Sequence, residues 1–66
     1  MSIRFLHRGI RYSVRKMGQE LWRWEVLPPA GVLGMFRQTG QVDGDKRDAM
    51  RAARAAIEIQ TGQYTN

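Results

Sequence analysis

The side chains best equipped for chemistry are arginines, and they begin early. Arg4, Arg8, Arg11 and Arg15, followed by Lys16, occur without an acid among them. A guanidinium is a planar fork of donors that matches phosphate and carboxylate oxygens, so the chemistry this run suggests is anion recognition. Arg23 and Arg37 extend the series, and nine of the eleven basic residues are Arg. The net charge of +5 over 66 residues is carried entirely by residues 1–16. From residue 17 onward six basic groups face six acidic ones.

Other chemistry is poorly supplied. His7 is the sole histidine and there is no cysteine, which excludes disulfides and Cys-ligated zinc. Ser2 and Ser13 have no evident base, so no hydrolytic triad can be assembled. Glu20 and Glu25 fall on an apparent turn and a wet strand face, not in a cleft that would tune an acid. The segment Gly40-Gln41-Val42-Asp43-Gly44-Asp45 has the glycines of a phosphate or calcium loop. It lacks the Lys-Ser/Thr end of the one and the closing Glu of the other. The expectation is a protein that is not an enzyme, with no metal site and no cofactor.

A chain this short buries only about 60% of its unfolded surface and has room for one small core. No apolar run approaches the roughly 20 residues that span a bilayer, and no signal-peptide core is visible. A cytoplasmic location is expected, with no membrane partner. The first residues also fit a basic amphipathic helix, with Ile3, Leu6, Ile10, Val14 and Met17 in one stripe. Gly9 and the β-favouring run 10–14 argue against that helix.

The elements that must position the arginines follow from periodicity. Ile10, Tyr12 and Val14 alternate with Arg11, Ser13 and Arg15, which predicts a strand at about 10–17. Gly18 suits a turn, and Trp22, Trp24 and Val26 alternate with Arg23 and Glu25 in a second strand at 21–27. Pro28-Pro29 ends it. A third strand is expected at 32–39, with 40–44 as a loop. Asp45 and Asp48 form an N-terminal cap for an Ala-rich helix over about 45–61, and Gly62 is a suitable stop. The fold class is α+β: a three-stranded antiparallel sheet on one C-terminal helix. Residues 1–9 read as a basic arm, 10–62 as the single domain and 63–66 as a tail.

Alternation assigns the faces. Tyr12, Val14, Trp22, Trp24, Val26 and Phe36 would meet Met50, Ala53 and Ile57 in the core. The opposite face would show Arg11, Arg15, Arg23 and Arg37, bordered by Leu21, Leu27, Leu33 and Met35, with Arg4 and Arg8 on the arm. Such a sheet can enter a DNA groove. Charge is also normal on the wet side of an antiparallel sheet, which is the blander account. A second use of the surface is a protein or homodimer interface through Leu21, Leu27, Leu33 and Met35. The tryptophans could stack on bases, but paired beside Val26 they read as core.

The order Tyr12-x-Val14, Trp22-x-Trp24-x-Val26, Pro28-Pro29, Gly31 and an Ala-rich run from Ala49 to Ile57 resembles short uncharacterised bacterial proteins of ββ β-then-α order. That resemblance implies a fold and a bacterial source but no function. The helix run Asp45-x-x-Asp48-Ala49-Met50-x-x-Ala53-x-x-Ala56-Ile57 is similar to HicB-like antitoxin domains, which bind a toxin RNase. The element order also resembles the arm-type DNA-binding domains of tyrosine recombinases, whose sheet contacts the major groove. The expected role is a small binding module for DNA or RNA, with self-association or a protein partner as the alternative.

Overall fold

Tyr12, Val14, Trp24 and Val26 are the residues around which the chain closes, buried with Ile10, Ala49, Ala53, Ala56 and Ile57. The computed structural model describes residues 2–31 and 34–61. Its elements run β1 (Ser2–His7), β2 (Ile10–Lys16), β3 (Leu21–Leu27), β4 (Gln38–Asp43) and α1 (Lys46–Thr61). The strands form one antiparallel sheet in sequence order, and α1 packs across β2, β3 and β4. The α+β class with one C-terminal helix is as expected. The sheet, however, has four strands instead of three.

The additional strand is formed by residues 2–7, where an arm was expected. Arg8 and Gly9 both hold positive φ, 54° and 78°, as the two central residues of a type I′ hairpin turn must. The turn pairs His7 with Ile10 and sets the register that places Phe5 opposite Tyr12. Their rings stack with centroids 5.3 Å apart. A left-handed Arg is unusual, and here its guanidinium is held by Glu58 of α1 at 3.0 Å. His7 Nε2 donates to the other oxygen of the same carboxylate at 2.7 Å. Glu58 thus ties the first hairpin to the helix.

The last strand is displaced from where the sequence placed it. Gly34 sits at φ 85°, residues 35–37 are irregular, and pairing starts at Gln38. The expected loop 40–44 supplies most of β4. Gln38, Gly40 and Val42 face the helix, opposite Val26, Trp24 and Trp22. Phe36, expected in the core, is 58% exposed, and its backbone is instead bound by a buried side chain. Phe36 N–H donates to Gln60 Oε1 at 3.1 Å, while Gln60 Nε2 donates to Phe36 O at 3.3 Å and to Gln38 Oε1 at 2.9 Å. Gln60 therefore guides the chain into β4. Val32 and Leu33, the start of the expected strand, lie outside the described residues, as do Gly62 and the tail.

The helix follows its local signals. Asp48 N–H donates to Asp45 Oδ1 at 3.1 Å and Asp45 N–H to Asp48 Oδ2 at 3.0 Å, a reciprocal cap. The Asp48 amide first, and the Arg47 amide after it, donate to the Asp45 carboxyl and hold it below its usual range. Ala49, Ala53 and Ala56 bring the helix close to the sheet, and Ile57 fills the space beside them.

Trp24 then has one place to lie, across Gly40 of β4. A Cβ on Gly40 would stand 2.5 Å from the indole ring. Gly40→Ala should therefore lower stability by about 1–3 kcal/mol, the usual cost of overpacking. Urea unfolding measures it, and an unchanged midpoint would mean that the indole does not cover Gly40.

Candidate functional site

Among the described residues no element lies over the face of the sheet turned away from α1, and register assigns that face's residues. One cross-strand row holds Leu6, Arg11 and Leu27. The next holds Arg4, Ser13, Glu25 and Thr39. The third holds Ser2, Arg15, Arg23 and Gln41, and Leu21 stands opposite Asp43 beyond it. Arg4, Arg11, Arg15 and Arg23 therefore share one open surface across three strands, and all four are exposed.

The six expected contact residues part company here. Arg11, Arg15 and Arg23 occupy the open face by alternation. Arg4 joins them as a residue of β1, not as part of a flexible arm. Arg8 is taken out of the group, because its turn directs it to Glu58 on the helix side. Arg37 lies outside the sheet, yet its Nε reaches Glu25 Oε2 at 3.1 Å. It neutralises the acid that stands among the other arginines.

Electrostatics distinguishes this surface from an ordinary wet face. Arg15 and Arg23 are direct cross-strand partners, and like charges in that position oppose pairing. Among the described residues, none of Arg4, Arg11, Arg15 and Arg23 forms an ion pair. The pairs that do form use Glu58, Glu25 and Asp48, the last with Arg51 on the helix. A shallow groove of about 360 Å³ runs beside Arg15 and Arg23, lined also by Ser2, Ser13, Met17 and Glu25.

The leucines of the alternative interface are divided. Leu21 and Leu27 are half-buried on the open face, at opposite ends. Met35 packs against the core on the helix side, which removes it from that face, and Leu33 lies outside the described residues. Trp24 is buried and Trp22 packs against the core, so neither indole is presented on the open surface. Sequence reasoning missed Leu6, which is 66% exposed beside Arg11. In the sequence Leu6 fits the helical stripe of Ile3 and Ile10, and only a strand over 2–7 brings it beside Arg11.

Among the described residues no group of three or more His, Asp or Glu is placed to hold a metal ion. No helix among them is long and apolar enough to cross a membrane. Comparison of the chain with protein-family models, with curated proteins and with solved structures finds no match in any of the three.

The Arg15–Arg23 repulsion has a measurable consequence. Arg15→Thr removes it and keeps a strand-favouring side chain, so it should raise stability by about 0.2–1 kcal/mol at low salt. The gain should shrink as salt screens the wild-type pair. Urea unfolding at low and high salt checks this, and a loss of stability at both would show that Arg15 supports the sheet.

Proposed function

We propose that the protein is a non-enzymatic module that binds nucleic acid through the open face of its sheet. The observation that carries the reading is the Arg15–Arg23 pair, held side by side with no ion-pair partner among the described residues. An anion between two guanidiniums relieves their repulsion and accepts charge-assisted hydrogen bonds from both. The four arginines do not converge on a point. Arg11 and Arg15 stand about 13 Å apart along β2, a spread suited to a polymer of phosphates more than to one small anion. Arg4 and Arg23 widen the surface on either side, and Arg37 masks the Glu25 carboxylate.

Self-association or a protein partner is a second reading, favoured by the free edge of β1 with Ile3 and Leu6 exposed. Mass in solution separates the two.

The primary test is a salt titration of binding to mixed-sequence DNA and RNA. If all four arginines contact phosphates, log K against log salt should have a slope near −3.6 for duplex DNA, at about −0.9 per contact. Arg15→Gln and Arg23→Gln should each make that slope shallower by about 0.9, and Arg51→Gln on the helix should leave it unchanged. Absence of binding at about 50 mM salt, or equal loss with Arg51→Gln, would overturn the reading.

A further inference from the structure

One end of the open face is built differently from the rest. A groove of about 590 Å³ there is lined by Leu6, Gly9, Leu27, Pro28 and Pro29, with Arg4 and Arg11 at its sides. Leu6 and Leu27 stand on either side of Arg11 in one cross-strand row, so its guanidinium rises between two aliphatic side chains. The two prolines close the groove with backbone that has no N–H to offer a polar ligand. The result is an apolar floor beside two cations that have no ion-pair partner among the described residues.

A ligand that fits must present an apolar surface close to a negative charge and continue as an anion. The continuation is set by the rows beyond. Arg4 lies one row along and the Arg15–Arg23 pair the next, each step being about 7 Å along the strands. Duplex nucleic acid meets part of this description, because its phosphates are outside. Its base faces, however, are stacked inside and unavailable to the groove. A single strand offers both, since each unstacked base has a face that packs on aliphatic or guanidinium surface while its phosphate remains beside it. Charge complementarity and the apolar floor therefore select the same occupant.

We infer that the open face prefers single-stranded over duplex nucleic acid, with one base seated against Leu6, Leu27 and the prolines and its phosphate held by Arg4 and Arg11. This rests on the nucleic-acid reading above and specifies its ligand. All the described aromatic residues of the strands, Phe5, Trp22, Trp24 and Tyr12, lie on the helix side or in the core. Base contact at this face is thus made by aliphatic groups and guanidinium, which sets a modest preference and little sequence discrimination.

Fluorescence anisotropy with the full chain tests it, using one mixed sequence of about 12 nucleotides as single strand and as duplex. Inorganic polyphosphate, which has charge but no bases, serves as competitor. At matched salt the single strand should bind about tenfold more tightly than the duplex. Leu6→Ser, at an exposed position, should remove most of that preference without changing the salt slope, and Leu27→Ser is the second variant if the edge strand proves sensitive. Equal or tighter duplex binding, or a preference unaffected by both variants, overturns the inference and leaves the nucleic-acid reading standing. Polyphosphate competing as well as the single strand, or no nucleic-acid binding at low salt, overturns both.

Discussion

A helix about 10 Å across has to seal a sheet whose outer strands are about 14 Å apart. That mismatch decides much of the molecule. α1 lies over β2, β3 and β4, where Ala49, Ala53 and Ala56 let it approach and Trp24 fills the space above Gly40. β1 is left beside the helix, joined to it by Glu58 at the turn and to β2 by the stacking of Phe5 on Tyr12. Among the described residues no element covers the far face of the four strands. Arg4, Arg11, Arg15 and Arg23 on that face are exposed, while Leu21 and Leu27 at its ends are half-buried.

The relative sizes of the energies explain why the open face can hold an unfavourable arrangement of charge. Tyr12, Ile57, Val14 and Val26 are the largest fully buried side chains, each contributing about 1.5–3 kcal/mol by burial. One pair of like charges facing water opposes pairing by about 0.2–1 kcal/mol and is screened by salt. Packing on the helix side therefore imposes the register, and register alone brings Arg15 opposite Arg23. Arginine stems also cover apolar surface while their heads stay in water, which suits Arg11 between Leu6 and Leu27. Stability and the proposed anion binding pull these positions in opposite directions.

Much of this was legible in the residues where the controlling interaction is local. Asp45 and Asp48 announce the helix start because a cap uses groups three residues apart. Alternation in 10–16 and 21–27 gives β2 and β3 because both their faces are distinct. β1 is harder, since Leu6 is apolar on the open side and spoils the alternation of Ile3 and Phe5 with Arg4. β4 is harder still. Its inward residues are Gln38, Gly40 and Val42, and each depends on something remote: Gln38 on Gln60, and Gly40 on the ring of Trp24. The apolar run before it looks more like a strand, but Gly31 and Gly34 at positive φ turn the chain there. For the site, alternation placed Arg11, Arg15 and Arg23 together. The positions of Arg4, Arg8 and Arg37 required knowing β1, its turn and the true start of β4.

Side-chain NMR reads directly which arginines meet the proposed ligand. The guanidinium Nε–H resonances of Arg4, Arg11, Arg15 and Arg23 should shift together as a single-stranded oligonucleotide is added. Those of Arg47, Arg51 and Arg54 on α1 should stay in place. Shifts confined to the helix arginines, with the four of the sheet unmoved, would contradict binding through the open face.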